Sequence, residues 1–246
     1  MKLYEVLLRK IGLWNEPNNP VIGNSAQSSG VSVTSEEGKI YNPIGCKVGG
    51  VVKIDSLDFR DYRFGVTEIE QFTIVKDGKK HRMVDYNLLA RPIGQPDFEC
   101  VLRIVPDTNG KSACSHRAIL LSLYDSMEFD QGLVDVCNAE EKKFVIDDDK
   151  CDDDVTNDEH FEYWRVNDVG TSYLATVKNL SDENRDGKVD EDEVTTRQVE
   201  FWDYSRMTDV DGVEVEEFVF VEMNKENGWI DIWRGSEVNP ERIDVF

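Results

Sequence analysis

The sequence predicts a mainly β protein of the α+β class, in which antiparallel β-sheets carry one N-terminal amphipathic helix and one inserted acidic loop. Three observations lead to this prediction. Apolar residues alternate with polar ones over much of the chain after Ile44, which is the pattern of half-buried strands. Two Gly-containing dipeptides separate such runs. The first fourteen residues instead space their apolar residues as a helix does.

Residues 1–14 form the predicted helix, with three basic residues against one acidic residue and therefore a charge of +2. Residues 15–43 are rich in Asn, Pro, Ser, Gly and Thr and lack apolar periodicity, which is the composition of a flexible linker. The helix is thus expected either to pack on its own domain or to dock on a partner protein or a membrane surface. Its apolar side is formed by Tyr4, Leu7, Leu8, Ile11 and Trp14.

Residues 44–246 form the predicted β-rich domain, with an inserted loop at residues 182–193. Asp77 with Gly78, and Asn227 with Gly228, each separate two apolar runs. Both dipeptides favour the positive φ angles of tight hairpin turns. The continuous apolar run at 118–124 suits either a buried strand or a short core helix, and periodicity leaves both open.

The charge of the chain restricts its partners. Of the 246 residues, 50 are acidic and 28 are basic, so the formal net charge is −22. Repulsion makes nucleic acid and anionic lipid poor partners for the body of the protein. The acidic residues concentrate in residues 147–159 and 182–193, and each cluster is expected to be a solvated loop or a metal site.

The cysteines and the apolar segments indicate the compartment. Five cysteines are scattered without zinc or redox spacing, so we expect reduced thiols. Charged residues interrupt the apolar N-terminus, which argues against a signal peptide. No segment approaches the roughly 20 apolar residues needed to span a bilayer. The sequence therefore predicts a cytoplasmic protein.

The most specific pattern lies in residues 182–193, DENRDGKVDEDE. Calcium is a hard cation that binds about six to eight oxygen atoms, and alternate side chains of a curled loop can supply them. The spacing matches the calcium-loop pattern at each constrained position, with Gly187 where the loop must turn sharply. Lys188 would contribute its main-chain carbonyl and Glu193 both carboxylate oxygens, which favours calcium over magnesium. The predicted calcium ligands are Asp182, Asn184, Asp186, Lys188, Asp190 and Glu193.

This loop resembles the calcium-binding loop of the EF-hand family, and the resemblance covers the loop alone. Upstream, residues 173–180 space their apolar side chains as a short entering helix does, whereas Val199 and Phe201 downstream suit a strand in place of an exiting helix. Because no second loop of this quality is present to pair with it, we expect a structural ion that holds the path between two strands. A solvated acidic loop is the alternative, and a second cation at residues 147–159 stays open.

A second resemblance rests on three short patterns. These are GCKVG at 45–49 followed by VKID at 52–55, EYWRV at 162–166, and YSR at 204–206 followed by EFVFV at 217–221. They resemble the YjfK-like family of uncharacterised bacterial proteins, which are β-rich and encoded near membrane-stress proteins of the phage-shock type. The resemblance implies an accessory or scaffold protein beside a membrane-remodelling partner, with the calcium loop as an insertion.

No catalytic arrangement is recognisable from the sequence. Three histidines lack companions at informative spacing, and four aromatic residues near the C-terminus suit either a β core or a carbohydrate or peptide groove. The sequence therefore predicts a non-enzymatic, calcium-binding accessory or interaction protein with a protein partner. A calcium-dependent hydrolase or a carbohydrate- or peptide-binding domain is the alternative, which a concave site with convergent carboxylates would favour. The four aromatic residues are Phe218, Phe220, Trp229 and Trp233.

Overall fold

The computed structural model describes residues 42–55, 62–76, 79–91, 97–106, 116–140, 143–147, 160–166, 172–180, 195–210 and 213–246. The predicted helix at residues 1–14, nearly all of the linker and the whole calcium loop lie outside these residues. The same holds for residues 148–159 of the other acidic cluster. Within the described part of the chain, no helix has the length and apolar character needed to cross a membrane.

Strands dominate the described residues. The predicted mainly β, antiparallel fold is confirmed, because every strand pair is antiparallel. The α+β description is not supported, because the described residues contain one α-helix, α1 (Gln131–Asn138), and one 3-10 turn (Pro240–Arg242). The strands are β1 (Val51–Ile54), β2 (Phe64–Lys76), β3 (Lys79–Ala90), β4 (Phe98–Pro106), β5 (His116–Met127), β6 (Lys143–Asp147), β7 (His160–Arg165), β8 (Tyr173–Asn179), β9 (Thr196–Val210), β10 (Val213–Asn224), β11 (Ile230–Val238) and β12 (Ile243–Val245).

Eight of these strands close into a barrel. Hydrogen-bonded neighbours run in the order β2, β3, β4, β5, β11, β10, β9, and β8 then pairs with both β9 and β2. The pair β1 and β12 extends the sheet from β2, and the pair β7 and β6 extends it from β9. A barrel of eight strands has an interior that side chains can fill or that can hold one small ligand.

Contacts between distant strands show which face of the sheet is the interior. Arg103 on β4 donates a hydrogen bond to Glu222 on β10 at 2.6 Å, although β5 and β11 lie between these strands in the sheet. The guanidinium of Arg103 also lies over the ring of Phe72 on β2 at 5.2 Å. Such contacts are possible only on the concave side, and residues opposite each other in the register share a face. Glu99, Val101 and Arg103 therefore face the interior.

Two covers pack on the outside of the barrel. On one side, β1, β12 and the segment before β1 cover the outward side chains of β2 to β5, including those around Cys46 and Tyr86. On the other side, α1, β6 and β7 cover β9 to β11, around Cys137, Tyr163 and Trp202. Both faces of the barrel strands are therefore largely buried.

One of the two predicted hairpin turns can be compared with the structure. The dipeptide of Asp77 and Gly78 lies outside the described residues, although β2 and β3 pair on either side of it up to Lys76 opposite Lys79. The strands β10 and β11 pair on either side of the second dipeptide, and Gly228 has a φ of +75°. This is the left-handed conformation that glycine adopts at little cost.

Two further segments are settled as strands. The apolar run at 118–124 belongs to β5, with its first five residues buried on both faces. The short entering helix expected at residues 173–180 is wrong, because Tyr173, Ala175 and Val177 lie at two-residue spacing on the inner face of β8. The predicted strand downstream of the loop is confirmed as β9. Strands rather than helices therefore flank residues 182–193.

Candidate functional site

One end of the barrel is closed by packed side chains. Arg117, at the start of β5, donates hydrogen bonds to Glu237 at 3.0 and 2.7 Å and to Glu216 at 2.8 Å. Its guanidinium lies 5.1 Å from the ring centre of Phe218. These ion pairs raise the pKa of Arg117 and fix its charge. Apolar residues including Ile119 then fill the barrel below them.

A buried ion cluster crosses the middle of the barrel. Arg103 is only 1% exposed. It donates from Nε and Nη2 to the two oxygens of Asp85 at 2.8 and 2.6 Å, and from Nη2 to Glu222 Oε1 at 2.6 Å. Its guanidinium also lies 4.5 Å from the ring centre of Phe220. One cation is thus shared by two buried carboxylates, the arrangement that buried charges require.

The other end of the barrel opens into a cavity of about 370 Å³, a size at the low end of small-ligand sites. We call this cavity the cup. Apolar side chains, including Leu89, Val101, Leu123 and Trp233, form part of its wall. Among the described residues that line it, six carry carboxylates and one carries a cationic group: Glu68, Glu70, Asp85, Glu99, Glu222, Asp231 and Arg197.

Neighbouring side chains hold several of these carboxylates in place. Arg197, at the start of β9, donates hydrogen bonds to both oxygens of Glu70 on β2, from Nη2 to Oε2 at 3.0 Å. Glu68 Oε2 accepts from the side-chain amide of Asn87 at 2.8 Å, and its Oε1 accepts from that of Asn179. The side chains of this wall are therefore preorganised by contacts between strands.

Burial sets the protonation equilibria of the cup. It raises the pKa of Glu222 and of Asp85, because one shared guanidinium does not fully replace the water that each carboxylate loses. The pKa of Arg103 rises as well, because two carboxylates surround it. Burial also raises the pKa of the Cys100 thiol, which lies on the opposite face of β4 in the outer core. That cysteine is therefore a neutral, apolar core residue.

The predicted calcium ligands lie outside the described residues, but the ends of their loop are described. Asn179 N–H donates to the Thr195 carbonyl at 3.0 Å, so the two stems of the loop are joined just before it begins. The side chains of Asn179 and Arg197 contact Glu68 and Glu70 of the cup. The described residues on either side of the loop therefore lie at the open end of the barrel, next to the cup.

Other predicted features have mixed outcomes. Phe218 and Phe220 belong to the buried core of the barrel. Trp233 lines the cup and Trp229 is exposed, so the four aromatic residues do not form one groove. The three described cysteines, Cys46, Cys100 and Cys137, are free in this structure. Cys114 and Cys151 lie outside the described residues.

Sequence reasoning missed the charged interior. Arg103 and Asp85 occupy the polar positions of alternating strands, which the pattern assigns to solvent. One signal was present: Arg103 is the single charged residue in the run VLRIV at 101–105. A charged residue inside an apolar run is buried only with partners, which predicts acidic residues facing it.

The described residues contain no group of three or more His, Cys, Asp or Glu side chains arranged to hold a metal ion. Most of the carboxylates in the cup already accept hydrogen bonds from guanidinium or amide groups, as described above. No protein family, curated protein or solved structure matches the chain.

Proposed function

We propose that this protein is a non-enzymatic binding protein that holds a small ligand in the cup, and that residues 182–193 bind calcium and stabilise the rim. One observation carries the proposal: the barrel is filled by packed side chains at one end and hollow at the other. A concave site with several carboxylates that belong to residues other than 182–193 is the feature that favours a ligand-binding domain over a purely structural accessory protein.

The first test is a ligand screen that compares two matched variants. Leu123 lines the cup and is 49% exposed, whereas Leu174 lies on the outer face of β8 and is 57% exposed. In Leu123→Trp the larger side chain narrows the opening of the cup, while Leu174→Trp adds the same bulk elsewhere. Ligand-observed NMR with a library of cationic, neutral and anionic small molecules is expected to find compounds that bind the wild type and Leu174→Trp but not Leu123→Trp. If no compound distinguishes the two variants, the cup is not a binding site.

The calcium part of the proposal is supported by the contacts of the loop stems. Asn179 and Arg197, which flank the loop, contact Glu68 and Glu70 of the cup. An ion that orders the loop would keep these stems together. With a Kd on the order of 10⁻⁵ M, about 1 mM calcium would add about 2.7 kcal/mol to the free energy of unfolding.

Thermal unfolding with and without calcium tests this part. Calcium is expected to raise the Tm of the wild type, and Glu193→Gln is expected to remove most of the rise. Glu241→Gln removes an exposed carboxylate near the C-terminus, outside residues 182–193, and serves as the control. A wild-type Tm that does not respond to millimolar calcium would remove the ion from the proposed function.

A hydrolase is the second candidate, because burial raises the pKa of Glu222 at a cavity, as in carboxylic acids that donate protons during catalysis. This candidate requires turnover. Chromogenic glycosides that the wild type hydrolyses and Glu222→Gln does not would support it, and the absence of any turnover in such a panel would leave the binding role.

The third part of the proposal is that the predicted N-terminal helix contacts a protein partner. An accessory role beside a membrane-remodelling partner would use residues 1–14 as the contact. A pull-down with the full chain and with a chain lacking these residues tests this role, and equal recovery of the same partners from both chains would refute it.

A further inference from the structure

The carboxylates of the cup are not fully balanced by protein cations. Asp85 and Glu70 each have both oxygens hydrogen-bonded to a guanidinium, of Arg103 and Arg197 respectively. Glu222 shares Arg103 and uses only Oε1. Three carboxylates therefore face two guanidiniums at this depth, which leaves one negative charge in excess when all three are ionised.

Glu222 also presents an open acceptor. The residue is only 9% exposed, yet it lines the cup. Arg103 donates to Oε1, and Oε2 is not among the fully buried side-chain atoms that lack a partner, so Oε2 is open to the cup. A ligand in the cup with an N–H group could donate a hydrogen bond to this second oxygen of Glu222.

The surrounding wall adds attraction for a cation that has an apolar part. Glu99 and Asp231 contribute two further negative charges, and Trp233 and Leu123 contribute apolar surface. Tryptophan is the aromatic residue that attracts cations most strongly. The same excess of carboxylates repels anions.

We propose that the cup binds a small organic ammonium ion, with its N–H groups on the open oxygen of Glu222 and its hydrocarbon part against Trp233 and Leu123. This assignment rests on the proposed function of the cup. An ammonium group donates up to three hydrogen bonds and does not need a shell of converging oxygens. A divalent metal ion needs about six or more such oxygens, and most of those in the cup are already committed to Arg103, Arg197, Asn87 and Asn179.

The test uses four probes of similar size, measured by isothermal titration calorimetry on the full chain. Butylamine and putrescine carry the ammonium group, 1-butanol is the neutral counterpart and butyrate is the anionic one. Both amines are expected to bind, and butanol and butyrate are expected to show no heat of binding. Glu222→Gln should weaken amine binding by about tenfold to a hundredfold, the worth of a hydrogen bond to a charged group.

Matched variants separate a specific site from general attraction. Glu214 lies on the same strand, is exposed and does not line the cup, so Glu214→Gln should leave amine affinity unchanged. Equal weakening by Glu214→Gln and Glu222→Gln would overturn the proposal. If Glu222→Gln does not fold, the double variant Glu99→Gln with Asp231→Asn, at the wall of the cup, should weaken binding of putrescine more than Glu214→Gln does.

The outcomes distinguish this inference from the proposed function. Binding of neutral or anionic compounds that Leu123→Trp blocks, without any amine binding, would overturn the ammonium assignment and leave the cup as a binding site. Binding of calcium or magnesium that Glu222→Gln abolishes would replace the organic cation by a metal ion. If the screen finds no compound of any class in the cup, both proposals fail.

Discussion

The ion cluster of Arg103 provides the most demanding test of the interior, through Arg103→Met. The substitution keeps an unbranched side chain between Phe72 and Phe220 but removes the charge and three hydrogen bonds of 2.6 to 2.8 Å. Two carboxylates would then be buried without a cation. Breaking a buried ion pair by removing one partner costs about 3 to 5 kcal/mol, a large part of the stability of an ordinary domain.

Urea unfolding with Arg91→Met as the control measures this cost. Arg91 pairs with Asp97 at 3.3 Å, and both side chains are exposed, so its loss should cost about 0 to 1 kcal/mol. The cost of Arg103→Met should shrink from about pH 7.5 to about pH 5, because protonation neutralises the two stranded carboxyl groups. Adding Asp85→Asn and Glu222→Gln to Arg103→Met should recover much of the loss at the higher pH. Similar, pH-independent costs for Arg91→Met and Arg103→Met would refute the buried cluster.

Three further predictions concern stability. A Cβ at Gly235 would lie 1.9 Å from the Leu120 carbonyl oxygen, so Gly235→Ala should lower the free energy of unfolding, measured with urea, by on the order of 3 kcal/mol or more. The control is Gly65→Ala, where the nearest atom to the added Cβ would be 3.7 Å away, and it should be tolerated. Asp130 accepts hydrogen bonds from the first turn of α1 at 2.7 and 3.2 Å, and Asp130→Ala should lower the free energy of unfolding by about 1 kcal/mol; no change would mean that the cap is not formed. Because the folded pKa of Glu222 is raised, the native state keeps that proton to a higher pH than the unfolded chain does, so its contribution to stability falls as pH rises above about 4.5. Glu222→Gln should flatten this fall in a pH series of urea titrations, and an unaltered slope would contradict the raised pKa.

The strands and turns were predictable because they depend on local pattern. Two-residue alternation and the dipeptides at 77–78 and 227–228 act within a few residues, and the strands on either side of each dipeptide pair as expected. The error at 173–180 has a physical cause. The spacing of the apolar residues there fits both the 3.6-residue period of a helix and the two-residue period of a strand. The strand forms because these residues pair with β2 and β9, whose residues are distant in the sequence or follow the loop.

The cup was not predictable, because it depends on closure of the barrel. Alternation distinguishes two faces of a strand, but it does not say which face is enclosed. In β4 the face that carries Arg103 turns inward, and the face of Leu102 and Ile104 lies under an outer cover. Charge pairs such as Arg103 with Glu222, 119 residues apart in the chain, have no local signature.

The interior ion pairs also join two halves of the barrel. The strands β2 to β5 form one half and β8 to β11 the other, and each half is a meander of neighbouring antiparallel strands. Arg103 with Glu222, Arg117 with Glu237 and Arg197 with Glu70 each link one half to the other across 119, 120 and 127 residues of chain. Contacts of such separation are slow to form. We therefore expect each meander to form early in folding and the pairings between the two halves, β5 with β11 and β2 with β8, to form late. A misaligned pairing would leave these buried charges without partners and would therefore be disfavoured.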